Sequence, residues 1–202
     1  MLPFFHRGAP FVSRVIESPR YWFPKPYADF VQRLRVASGF LLLVTFACLS
    51  RPSLSSLAAG LPVSILGLFI RGWAAGHLAK DRQLATGGPY AYIRNPLYAG
   101  TLTTAAGIVI ASRSIWLAII FAAVFLLVYL PVIELEEQHL REIFADYATY
   151  AARVHRLLPL SKWRGRNGHF SWPLYRRNQE YKAALGFLIA VCWLAVCLYI
   201  RH

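Results

Sequence analysis

The sequence predicts an all-α, polytopic membrane protein with about five transmembrane helices. Three observations carry that reading. Hydrophobic residues make up 57% of the 202 and charged residues only 15%, where soluble domains carry about one quarter charged. Apolar runs recur along the whole length, as in one membrane domain and unlike a soluble domain with a single anchor. The basic residues, finally, are confined to alternate gaps between those runs.

The elements follow in order. Residues 1–33 hold Pro3, Pro10, Pro19, Pro24 and Pro26 among aromatics such as Tyr21, Trp22 and Phe23, which predicts an irregular or interfacial cytoplasmic arm. They carry charges and prolines instead of an apolar stretch with a cleavage site, so no secretory signal is expected. A core over 34–159 contains four apolar runs: Val36–Leu49, extendable through Leu34; Leu54–Ile70, which can continue past Arg71 to Leu78; Leu97–Ala111; and Ile115–Ile133. The third is short, because about 15 residues rising about 1.5 Å each scarcely cross a hydrocarbon layer. It is expected to begin inside the preceding polar loop or to form a tight hairpin with the fourth. A basic, aromatic linker over 160–182, with Trp163, Phe170, Trp172 and Tyr175, suits anionic lipid headgroups. Residues 183–202 hold the fifth run, Ala183–Ile200.

The charges test this count independently. Nineteen of the 22 Lys and Arg residues fall before the first run, between the second and third, or between the fourth and fifth; only Arg51, Arg113 and Arg201 fall in the other gaps. The positive-inside rule therefore predicts a cytoplasmic N-terminus and a C-terminus on the opposite side. The formal charge of +13 builds no continuous basic stripe or nucleic-acid motif, so no nucleic-acid partner is expected; anionic lipid explains it. Cys48, Cys192 and Cys197 lie in apolar runs without pairing or metal-ligand spacing and read as buried small hydrophobes, so no metal site is expected.

Two polar segments stand out. In Arg82–Tyr98, Gly87-Gly88-Pro89 predicts a sharp turn, and Asn95-Pro96 a new helix, with Asn95 as its cap and Pro96 in its first turn. A helix start with free N–H groups can hold an anion, and Arg94 beside it can grip a carboxylate. A plain turn, with Arg94 as a topogenic charge and Tyr90, Tyr92 and Tyr98 as interfacial aromatics, fits the same composition. In the second segment, five of the nine acids crowd into residues 134–146. On a continuing helix Glu134 and Glu137 share a face while Glu136 points elsewhere. Acids at a membrane boundary need a partner or a ligand, unless they form a solvated helix end with local pairs such as Glu137–Arg141.

The residues in order are Gly88-Pro89-Tyr90, Arg94-Asn95-Pro96, Tyr98, Gly100, a helical hairpin, Glu136-Glu137, Phe144, Tyr147, Tyr150, Arg153-Val154 and Pro159. This pattern resembles the isoprenylcysteine carboxyl methyltransferase family, whose wider group includes the phospholipid N-methyltransferases. The match spans Arg71 to Pro159. The resemblance implies a helical membrane methyltransferase with a cytoplasmic site for S-adenosyl-L-methionine. It places cofactor contacts on Arg82, Gln83, Leu84, Ala85, Tyr90, Asn95, Pro96, Leu97, Tyr98 and Glu136, with Arg94 in the same signature. Glu137 and His139 are the candidates for a catalytic base.

Three departures refine this. Asn95 replaces the family's usual histidine, and an amide cannot act as a base. Val132 stands where isoprenylcysteine-methylating members carry an arginine for the substrate carboxylate. A linker and a fifth apolar run follow Pro159. The expected methyl acceptor is therefore a membrane lipid or amphiphile ahead of a prenylated protein. The rival expectations are an NADPH-dependent reductase of the sterol-reductase type and a non-catalytic membrane scaffold.

Overall fold

Eight α-helices and two short helical turns make up the regular structure in the computed structural model, which describes residues 22–80, 82–160 and 168–200. No strand occurs among the described residues. The expectations for residues 1–21 of the arm, with Pro3, Pro10, Pro19 and Tyr21, for Trp163 and for the basic residues of 161–167 lie outside them.

Helix α1 (Lys25–Leu49) starts inside the segment read from sequence as an arm and bends by 52° between Lys25–Leu34 and Val36–Leu49. Helix α2 (Leu54–Ala75) runs past Arg71, and Ser53 and Ser56 close a reciprocal cap at its start. Helix α3 (Pro96–Ser112) begins on a proline in its first turn. Helix α4 (Ile115–Val124), a π turn (Phe125–Tyr129) and helix α5 (Leu130–Ile143) form one long rod. Two short helices, α6 (Tyr147–Ala151) and α7 (Trp172–Arg177), precede α8 (Tyr181–Ile200). By length and composition three helices can cross a membrane: Leu54–Ala75, Ile115–Ile143 and Tyr181–Ile200. The bent α1 makes a fourth, and α3 is a shorter apolar helix.

α3 packs chiefly on α2 and only lightly on α4, so the expected hairpin with the fourth run is not its main contact. Small residues explain the choice. A Cβ at Gly67 would strike the Thr104 backbone and hydroxyl, and one at Gly60 the Gly107 carbonyl. The two backbones therefore approach as closely as glycine pairs allow in membrane helices. Ser64 Oγ donates to the Thr104 carbonyl at 2.9 Å across the seam. Arg113, in the left-handed region at φ 51°, turns the chain from α3 into α4.

The π turn has a local cause. Pro131 has no N–H for the Leu127 carbonyl one turn back. The ladder shifts, with Leu130 N–H bonding the Phe125 carbonyl, and the Tyr27 hydroxyl donates to the Leu127 carbonyl at 2.7 Å. α8 is fixed at its foot by Asn178, whose amide donates to the Ala75 and Leu78 carbonyls at 2.8 and 2.9 Å. Its far end joins Leu194 to Phe46, Ala111 and Leu117 in one apolar cluster. Cys48 and Cys192 are exposed and Cys197 half-buried. That corrects the reading of the cysteines as buried, because apolar side chains on the outside of a membrane bundle face lipid.

Candidate functional site

The polar turn forms as its residues dictate. Gly88 sits at φ +58°, and a Cβ there would collide with the His77 ring. Pro89 opens a 3-10 turn that buries Tyr90. The chain then runs beside residues 154–156: Arg94 N–H donates to the His155 carbonyl at 2.9 Å and Asn95 N–H to the Arg156 carbonyl at 3.1 Å. The Tyr150 hydroxyl closes the strap by donating to the Tyr90 carbonyl at 2.6 Å.

The three glutamates of α5 divide as helical spacing predicts. Glu134 and Glu137 are buried, at 1% and 2% exposure, and each finds a protein partner. Glu134 accepts from the backbone N–H groups of Trp22 and Phe23 at 2.5 and 3.1 Å. Glu137 accepts from the Asn95 amide at 2.7 Å and from Arg156 at 2.9 and 3.2 Å, with Arg94 Nε at 3.6 Å. Arg141, the local partner expected for it, lies instead over the Tyr147 ring. Asn95 starts α3 without a side-chain cap: its side chain is turned so that Nδ2 donates to Glu137, and Oδ1 does not cap a backbone N–H, the role expected for it.

Glu136 turns the other way, into a cavity of about 940 Å³, and accepts from the Tyr98 hydroxyl at 2.9 Å. Of the residues assigned in the sequence to the cofactor or to catalysis, the cavity wall carries Gln83, Leu84, Ala85, Tyr90, Arg94, every residue from Asn95 to Tyr98, Glu136 and His139. Two are not on it. Arg82 is exposed at a tight turn in which its own N–H bonds the Ala79 carbonyl. Glu137 is buried with both oxygens engaged, the arrangement of a structural clamp and not of a base open to a substrate.

Several wall residues went unassigned in the sequence. Arg71, counted there as a topogenic charge, reaches from α2 to both oxygens of Glu180 and to the Thr101 hydroxyl. Glu180 is the lone acid after Asp146; the argument applied to residues 134–146 would have found it. Tyr147 and Tyr150 also line the cavity. Burial pushes the Tyr90 phenol far above its usual range, with Glu180 and then Glu136 adding to the effect. Burial likewise raises Tyr147 and Tyr150, so these phenols remain hydrogen-bond donors and do not serve as bases.

The chemistry of this donor set suits a zwitterion with hydroxyl groups. Arg94 lines the cavity, while its buried Nε makes no hydrogen bond and lies 3.6 Å from Glu137. Glu136 offers acceptor oxygens, and Tyr90 and Tyr98 offer aromatic faces, which attract cations. Among the described residues, no group of three His, Cys, Asp or Glu side chains could hold a metal ion.

Residues 35–147 match the family model described as phospholipid methyltransferase. Among curated proteins the chain is similar to the cobalt-zinc-cadmium resistance protein CzcN of Cupriavidus metallidurans, at 34% identity over 46% of this chain and 44% of the relative. It is also similar to the nickel-cobalt-cadmium resistance protein NccN of Alcaligenes xylosoxydans xylosoxydans, at 35% identity over 50% and 51%. The chain thus spans about half the length of the curated relatives it matches. No solved structure matches it.

Proposed function

Because the chain belongs to the phospholipid methyltransferase family, we propose that it transfers the methyl group of S-adenosylmethionine to a lipid or amphiphile held in the membrane. The observation that carries the proposal is the Tyr98–Glu136 hydrogen bond. Two residues 38 positions apart, each assigned to the cofactor by motif, meet on the wall of one polar cavity.

In this reading Arg94 grips the carboxylate of the cofactor, Glu136 accepts from its hydroxyl or ammonium groups, and Tyr90 or Tyr98 faces the sulfonium. When bound, the cofactor would supply an activated methyl, the acceptor's lone pair displacing it with the C–S electron pair left on sulfur. The protein's work is to align the two and exclude water. His139 is the one remaining candidate for taking up a proton from an amine or hydroxyl acceptor. A carboxylate acceptor fits less well. Val132 replaces the arginine that would hold it, Arg71 and Arg156 are engaged by Glu180 and Glu137, and Arg94 is assigned here to the cofactor. The charge asymmetry supports a cavity on the cytoplasmic side, with the N-terminus there and the C-terminus opposite.

Calorimetric titration of the purified protein with S-adenosylhomocysteine tests the cofactor. Binding by the wild type, abolished in Glu136→Ala and Tyr98→Ala while both stay folded, is the expected result. Unchanged affinity in both variants would remove the site, and binding of NADPH in place of the nucleoside would turn the reading to a reductase. Transfer of labelled methyl from S-adenosylmethionine into a total lipid extract identifies the acceptor; no transfer would leave a scaffold.

A further inference from the structure

A second cavity, of about 390 Å³ and almost wholly apolar, adjoins the polar one. The two share Arg71, Tyr98, Thr101 and Tyr129 as wall residues, so they meet where Tyr98 holds Glu136. The apolar chamber lies between the helices at the depth of their hydrophobic runs, with Leu42 and Phe46 from α1, Leu68 from α2, and Phe121 from α4 on its wall. Phe46 and Leu117, which pack with Ala111 and Leu194 in one apolar cluster, also stand on its wall.

One wall comes from α8, which lies outside the residues matched by the family model. α8 presents Ala183, Gly186, Phe187 and Ala190 there, three small residues and one aromatic on one helix face. Gly186 is exposed, and a Cβ added to it would meet nothing within 4 Å. Gly60, Gly67, Gly100 and Gly107 mark tight contacts, whereas Gly39 and Gly186 face open space; of these two, the chamber is lined only by Gly186. Its neighbours on the outer side, Leu185 and Ile189, are more than half exposed, as lipid-facing residues are.

We propose that the hydrocarbon chain of the methyl acceptor enters this chamber laterally past Gly186, and that α8 thereby selects acceptors by their apolar part. The inference rests on the methyltransferase reading above. The polar end of the acceptor stops at the junction, where Arg71 is already neutralised by Glu180 and the Tyr98–Glu136 pair marks the cofactor side. A chain lying in the chamber points its attached head group at the polar cavity, which is the geometry that methyl transfer requires.

The test uses the full chain in nanodiscs of dioleoylphosphatidylcholine and a fatty-acyl probe bearing a terminal diazirine. Photolysis of the wild type should label chamber peptides around Phe121 and Phe187. Gly186→Trp fills an open space without meeting backbone, so it should fold, lose chamber labelling and lose about tenfold or more of methyl transfer into the lipid extract. Its affinity for S-adenosylhomocysteine should be unchanged. Ile189→Trp, on the lipid face and off the chamber wall, should behave as wild type. Wild-type labelling of the chamber in Gly186→Trp, or undiminished transfer, would overturn the proposal. Failure of the wild type to bind S-adenosylhomocysteine would instead strike the cofactor reading, since chamber labelling is read without it.

Discussion

Replacing Glu137 by glutamine separates a clamp from a catalyst. The carboxylate is 2% exposed, accepts from the Asn95 amide and twice from Arg156, and lies 3.6 Å from Arg94 Nε. Removing its charge leaves two guanidinium groups facing a neutral amide. Breaking a fully buried pair by removing one partner costs about 3–5 kcal/mol. Here Arg94 and Arg156 keep 13% and 21% exposure, so water relieves part of that, and a loss of about 2–4 kcal/mol is expected. Glu136→Gln is the contrast. Glu136 is half-buried, and its hydrogen bond from Tyr98 contributes about 1 kcal/mol. The assay is thermal unfolding in detergent beside calorimetric titration with S-adenosylhomocysteine. Glu137→Gln should fall well below wild type in midpoint yet bind the nucleoside when measured cold, and a second change, Arg156→Gln, should restore much of the loss by removing the orphaned charge. Glu136→Gln should melt near wild type and bind poorly. A Glu137→Gln protein of wild-type stability that binds cofactor but transfers no methyl would refute the clamp and restore Glu137 as a base.

Three further outcomes follow from the packing. Gly67→Leu drives a side chain into the Thr104 backbone and hydroxyl, which should cost about 1–3 kcal/mol or more in thermal unfolding; a neutral result would dismiss the glycine seam. Tyr27→Phe removes the donor to the carbonyl orphaned by Pro131 and should cost about 1 kcal/mol, read by the same melt. Tyr90, Tyr147 and Tyr150 have phenols raised above the unfolded value of 10.0. The folded chain therefore holds these protons more tightly. The stability they contribute is complete below the unfolded value and is lost as the pH rises past about 10. A melting midpoint that is level near neutrality and falls above that pH is expected, less steeply in Tyr150→Phe; an equal fall in both would refute the Tyr150 assignment.

The helices were legible because crossing a membrane demands long apolar runs, and those runs are visible without any partner. Their polar extensions were not. α1 begins at Lys25 and passes through Asp29, Gln32 and Arg33; Tyr27, Phe30, Val31 and Leu34 do recur at helical spacing there, but the prolines and charges around them break the long apolar run that marks a span. The cysteines misled because burial was inferred from apolarity, a rule that lipid inverts. In the site, Tyr98 and Glu136 were legible through a motif, and the division of the glutamates through helical spacing. The bonds of Glu137 to Arg156 and of Arg71 to Glu180 join residues 19 and 109 positions apart. Nothing local announces such a pair; it exists only once the helices have assembled.

That delay reconciles two roles for the same arginines. Arg71, Arg94 and Arg156 belong to the gaps that carry nearly all the positive charge, and in the folded protein each faces a buried glutamate. Topology is decided as segments enter the bilayer, when Glu180 has not yet been made and Glu137 has no tertiary contacts, so each arginine then acts as a full positive charge. Discounting these three still leaves the remaining charge overwhelmingly in the same gaps. Pairing after insertion therefore weakens no topological signal. It does change the cavity: without Glu180, Arg71 would present a bare cation at the junction of the two cavities.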